Sequence, residues 1–255
     1  MALLDGKKIL ITGVLTDDSL AFGVAQMAQR QGAEIVLTGF GRPMRLTQRT
    51  ARKLDEPVEV LELDVTNEDH IVAVREQLKE KWGRVDGALH SIGFMPEAGL
   101  GDNFFGASWD DVSVGMHVSA YSLRSLADIV APLMTDGGSL LGLTFDGTVA
   151  WPLYSWMGVA KAALESLNRY LARELGEQQI RCNLVSAGPM RTVAARSIPG
   201  FSQFEERWVD MAPLGWDVTN SEGVAKSCVA LLSDWFPQTT GSIIHVDGGY
   251  HAMGA

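Results

Sequence analysis

Seven short apolar runs, Lys8–Thr12, Glu34–Thr38, Val58–Leu63, Gly87–Ile92, Ser139–Thr144, Arg181–Ser186 and Ser242–Val246, alternate along the chain with helical patterns. The helical stretches fall at Ser19–Gln31, Met44–Leu54, Asn67–Trp82, Trp109–Leu133, Pro152–Gly176 and Ser221–Trp235, several opening near an Asp, Ser or Asn suited to cap free N–H groups. A helix between successive strands carries the chain back to the start of the next one, so neighbouring strands run parallel and helices cover both faces. The predicted fold is α/β, a doubly wound parallel sheet of about seven strands with flanking helices. The 255 residues, 46% of them hydrophobic, suffice for one large core, and residues 1–255 are expected to form a single domain. One long stretch, 187–218, shows no sustained period. Pro189, Pro199 and Pro213 interrupt it while Trp, Phe and Met enrich it, so it is expected to be a substrate-binding loop or lid and not a linker.

The charge balance narrows the partners. A formal net charge of −10 argues against a nucleic-acid or anionic-membrane surface. No charged N-terminal region leads into a long apolar run, and no stretch approaches a membrane span, so the expected location is cytoplasmic. Cys182 and Cys228 fall in a predicted strand and helix without metal-type spacing; both are expected to be reduced core thiols, and no metal site is expected.

The first strand runs into Gly13 and then a helix, which places backbone amides and a helix N-terminus where a pyrophosphate would bind in a Rossmann-type sheet. The usual glycine-rich turn is degraded, because Asp17 and Ser19 stand where further glycines belong. Three other strand ends reach the same crevice. After the second comes Gly39-Phe40-Gly41-Arg42, with no acid for an adenosine ribose, so this turn does not separate NAD from NADP. After the third stands Asp64-Val65, where Asp64 is equally readable as a cap for the helix that follows. After the fourth comes Ser91-Ile92-Gly93-Phe94-Met95, whose Gly93 permits close approach of a nucleotide.

Tyr154 and Lys161 stand seven apart on one predicted helix, within ~20° of the same face and ~10 Å apart along the axis. A Tyr-x-x-x-Lys pair, which serves carbonyl reduction, is absent, since Met157 holds the nearer place. The longer spacing suits a substrate whose oxygen lies several bonds from the carbon that accepts hydride. Conjugate reduction of an enoyl group meets that description. Position 141, about a dozen residues before the Tyr, is Leu where a carbonyl reductase would carry Ser. His117 is expected to be an uncharged core or interface residue.

The segments 37–40 (Leu-Thr-Gly-Phe), 90–96 (His-Ser-Ile-Gly-Phe-Met-Pro), 156–161 (Trp-Met-x-Val-Ala-Lys), 187–192 (Ala-Gly-Pro-x-Arg-Thr) and 230–235 (Ala-Leu-Leu-Ser-Asp-Trp) resemble the NADH-dependent enoyl-acyl-carrier-protein reductases of the short-chain dehydrogenase superfamily, specifically those of mycobacteria. The resemblance implies that NADH is held by Gly13, Ser19, Leu20, Phe40, Asp64, Val65, Ser91, Ile92, Gly93, Lys161, Met190 and Thr192. It implies that Tyr154 stabilises an enolate, that Lys161 holds the nicotinamide ribose, and that Phe145 lies beside the nicotinamide and the enoyl group. Met157, Phe94 and Met95 join Tyr154 and Phe145 on the substrate side. It further implies an acyl-carrier-protein-linked enoyl substrate and a homotetramer. Ile198, Phe201, Phe204, Trp208, Met211 and Leu214 are expected to line an acyl tunnel. The segment between Thr192 and Ala212 looks shorter than in the mycobacterial proteins, which leaves acyl length open. A carbonyl or 3-oxoacyl reductase and a nucleotide-binding regulator without turnover are the competing readings.

Overall fold

The computed structural model describes residues 2–254; the predicted domain limits, 1 and 255, lie outside the described residues. Seven parallel strands form one sheet: β1 (Lys8–Ile11), β2 (Glu34–Gly39), β3 (Glu59–Glu62), β4 (Gly87–His90), β5 (Gly138–Thr144), β6 (Ile180–Ala187) and β7 (Ile243–Val246). Their spatial order is β3-β2-β1-β4-β5-β6-β7. The order reverses between β1 and β4, and the crevice at the carboxyl ends of those two strands is the topological switch point where such sheets bind ligands.

The strands alternate sides as their period demands. Ile9, Ile11, Ile35 and Leu37 face α1 (Leu20–Arg30) and α8 (Glu222–Leu232), whose Ala21, Val24, Ala25, Val224 and Cys228 complete one apolar layer. Leu10, Val36, Ala88 and Leu140 point the other way, toward α3 (Glu68–Trp82), α5 (Ser122–Val130) and α6 (Ser155–Leu175). Each such Leu or Ile contributes ~2 kcal/mol by leaving water. Cys182 and Cys228 lie in these layers as free thiols, and burial pushes both up to about 12. They stay protonated and unreactive.

Two helical expectations are corrected, and the stretch expected as a loop or lid holds a helix of its own. The stretch expected as one helix over Trp109–Leu133 is α4 (Trp109–Met116), a π-helical turn at His117–Tyr121, α5 and a final 3₁₀ turn containing Pro132, which has no N–H to extend the α-helical ladder. The stretch 187–218 contains α7 (Phe201–Met211), which buries Phe204 and Trp208 one turn apart. Finally, α6 begins at Ser155 and not at Pro152, because Leu153 and Ser155 adopt φ of +63° and +49° and break the helical path. Tyr154 therefore stands at the N-cap, outside the regular helix that carries Lys161. A short helix α2 (Met44–Ala51) completes the β2–β3 crossover.

Candidate active site

The crevice begins with a close approach between two strand ends. Gly13 has φ of +81°, and a Cβ there would lie 1.8 Å from the carbonyl oxygen of Ser91. Only glycine allows the β1 and β4 exits to meet in this way. Thr12 fastens them: its Oγ1 donates to the Leu89 carbonyl (2.9 Å) and accepts from the Ser91 N–H (3.1 Å). The Ser19 hydroxyl accepts from the N–H groups of Leu15 and Thr16, closing the turn before α1, and Leu20 is the first residue of that helix. A narrow cradle ending in a helix N-terminus fits a dinucleotide pyrophosphate.

The remaining predicted nucleotide residues line the same sheet end. Phe40 follows β2 and is exposed, and Val65 is buried after β3. The Asp64 carboxylate accepts from the Thr66 N–H (2.9 Å) and hydroxyl (2.7 Å), whereas Asn67 caps α3 through the N–H groups of Asp69 and His70. The capping role considered for Asp64 thus belongs to Asn67. Ser91, Ile92 and Gly93 leave β4 directly, and the Ser119 hydroxyl on the π-helical turn pins the next residue by bonding both the N–H (2.8 Å) and the carbonyl (2.7 Å) of Phe94. Met190 is buried beyond β6, and Thr192 Oγ1 accepts from the Ala195 N–H (3.1 Å). From that segment Arg191 forms a forked pair with Glu205 of α7 (2.7 and 2.8 Å), and Arg196 reaches Asp18 beside the β1 exit (3.1 Å).

Past β5 lies an enclosed aromatic cluster. Phe145 meets Tyr154 edge-on with ring centroids 5.4 Å apart, and it also touches Trp151, Phe204 and Trp208. Met95 and Met157 pack into the same cluster, with Ile198 and Phe201 at its margin. Phe94 stands apart, half exposed, and Met211 is not in the cluster. Leu214 is 89% exposed, so its expected place in an acyl tunnel is corrected. Trp151 and Tyr250, which the sequence did not single out, extend the wall, Tyr250 stacking on Trp208 at 3.7 Å.

Lys161 is buried, and its Nζ donates to the Leu143 carbonyl at the end of β5 (3.1 Å). Burial pulls its pKa down to about 8, against the opposing pull of Glu165. Burial raises the pKa of Tyr154, as does the negative charge of Glu165, so the phenol stays protonated at any physiological pH. His90, at the end of β4, is pushed down to about 3 by burial and by Lys161; its Nε2 pairs with the Ser122 hydroxyl (2.7 Å) and it carries no charge. His117 is half-buried, edge-on to Tyr121. Among the described residues, His245, Asp247 and His251 bring ligand-type atoms within 4.8 Å of one another. Both Asp247 oxygens are already occupied there by the N–H groups of Gly249 and His251 and by the His251 ring, which closes the terminal turn.

The family model described as enoyl-(acyl carrier protein) reductase matches residues 13–251, from the glycine of the cradle to the terminal turn. The chain belongs to that family. Among its enoyl reductase relatives, the NADH enoyl-acyl-carrier-protein reductase of Mycolicibacterium smegmatis is 50% identical over 97% of both chains. That of Mycobacterium avium is 47% identical over 97% of both, and that of Synechocystis 40% identical over 98% of both. Among the described residues no helix is long and apolar enough to cross a membrane.

Proposed function

We propose that this protein is an NADH-dependent enoyl-acyl-carrier-protein reductase that reduces the trans-2 double bond of an enoyl thioester in fatty-acid elongation. The observation that carries the reading is the edge-on contact of Tyr154 with Phe145 inside an apolar cluster next to a buried, β5-anchored Lys161. A protonated phenol meets an aromatic wall there, and the cation lies about two turns further along α6. The names of the relatives favour this reading over carbonyl reduction. So does Leu141, which is fully buried in β5 and offers no hydroxyl.

When bound, NADH supplies the hydride that goes to C3 of the enoyl group. Gly13, Ser19 and Leu20 receive the pyrophosphate; Phe40, Asp64 and Val65 border the adenine; Ser91, Ile92 and Gly93 border a ribose; Met190 and Thr192 meet the carboxamide. Lys161 has three N–H donors and spends one on Leu143, leaving two for ribose hydroxyls. Tyr154 donates to the thioester oxygen, where negative charge gathers, and a proton taken up at C2 completes the reduction. Phe145, Met95 and Met157 exclude water around that oxygen, with Phe94 at the entrance. Residues 187–218 cover the site, and one domain carries both nucleotide and substrate. A homotetramer belongs to the same proposal, with the exposed apolar groove of Met116, His117, Ala120, Tyr121, Ala163 and Leu167 as a surface that another copy covers. So does a cytoplasmic location.

NADH absorbance followed with a trans-2-enoyl thioester and with a 3-oxoacyl thioester of equal length tests the reaction. Oxidation is expected with the enoyl substrate alone. Oxidation only with the 3-oxoacyl compound would make the protein a carbonyl reductase, and tight NADH binding without either reaction would make it a regulator. Lys161→Ala is expected to weaken NADH binding by about tenfold or more, the worth of a lost charge-assisted hydrogen bond. Equal affinity in the two proteins, measured by fluorescence titration, removes that role from Lys161.

A further inference from the structure

Glu165 lies one turn beyond Lys161 on the same face of α6 and is only 4% exposed. A buried carboxylate is costly unless hydrogen-bonded and balanced by charge. Glu165 has both compensations. Its Oε1 accepts from the Thr144 hydroxyl (3.1 Å) and from the Gly147 N–H (2.9 Å), the residues that flank Phe145 and Asp146 at the β5 exit. The exit loop lies hard against the helix there: a Cβ on Gly147 would come within 2.7 Å of the Ala162 backbone nitrogen. Lys161 binds the Leu143 carbonyl of the same strand end, so two consecutive turns of α6 grip one short segment, one through a cation and one through an anion.

We propose that Glu165 is a positioning residue: it holds the β5 exit, and with it Phe145, against α6, and it keeps the Lys161 ammonium charged at the nucleotide site. The proposal rests on the nucleotide-binding role given to Lys161 above. The groups around Lys161 make Glu165 the source of the balancing charge. His90 on β4 is neutral, Tyr154 ahead of α6 is a protonated phenol, and Asp146 on the exit loop acts on Glu165. His117, on the π-helical turn packed beside α6, lines a surface groove with Ala163 and Leu167.

Glu165→Gln separates the two functions, because the amide oxygen can still accept from Thr144 and Gly147 while the charge is gone. In wild type the NADH affinity is expected to fall as pH rises through about 8, where Lys161 loses its proton. In Glu165→Gln that fall is expected about one pH unit lower, which makes the variant about fivefold weaker for NADH at pH 8 and equal to wild type near pH 6. The Lys161 signal in ¹³C-lysine NMR of the protein without nucleotide should titrate lower by the same amount. Superimposable affinity and NMR titrations in the two proteins overturn the proposal. If Glu165→Gln does not fold, ¹³C-glutamate-labelled wild type provides the test: one carboxyl resonance is expected to shift through the Lys161 titration, and the absence of any such resonance overturns it. Failure of the underlying reading looks different, since Lys161→Ala would then bind NADH as wild type does.

Discussion

Tyr154→Phe is expected to lower turnover of an enoyl thioester by about 10²-fold while NADH affinity stays unchanged. A preorganised donor aimed at developing charge in a water-poor site is worth ~3 kcal/mol, and the phenol sits where bulk water cannot replace it. Phe preserves the edge-on contact with Phe145 and the apolar packing with Phe204, so the loss isolates the hydroxyl. Because burial raises the phenol's pKa, wild-type turnover should show no alkaline limb from Tyr154, and any limb near pH 8 belongs to Lys161. Steady-state kinetics beside fluorescence titration of NADH read the two effects separately. A variant that turns over as wild type does would move the enolate-stabilising role elsewhere.

The sheet was legible because strands buried on both faces must be nearly continuous in apolar residues, and β1, β4 and β5 are, while β6 breaks its run with Arg181 and Asn183. Their ends differ from expectation by a residue or two, as helix and strand ends fray. The break ahead of α6 was not legible, since a left-handed conformation at Leu153 and Ser155 contradicts the preference of both side chains and is imposed by their surroundings. In α7 the spacing of Phe201, Phe204, Trp208 and Met211 was visible, but Pro199 and Pro213 on either side argued for irregular chain. Of the site, Phe145 was implied by the family resemblance, whereas Tyr154 and Lys161 carried recognisable spacing. Glu165 did not, because a glutamate on an amphipathic helix is ordinarily solvated. Its one signal was its place a single turn past Lys161.

Gly13→Ala is expected to abolish NADH binding and to destabilise the fold by several kcal/mol. Two costs add. An L-residue at φ of +81° costs ~1–2 kcal/mol, and the methyl group would meet the Ser91 carbonyl at a separation no real contact tolerates, so the β1 and β4 exits must part. Parting them stretches the Thr12 hydrogen bonds to Leu89 and Ser91, each worth ~1 kcal/mol, within the buried switch-point crevice. For a chain of this size each kcal/mol lowers the melting temperature by ~2–4 °C, which puts the expected drop near ~10 °C. Ser91→Gly in the same chain should recover little, because the closest clashes, at 1.8 and 2.6 Å, are with the Ser91 backbone and its Cβ is only the third. Calorimetry and NADH titration check both parts: a Gly13→Ala protein that melts and binds as wild type does would mean that the close approach of these strand ends is not what builds the nucleotide cradle.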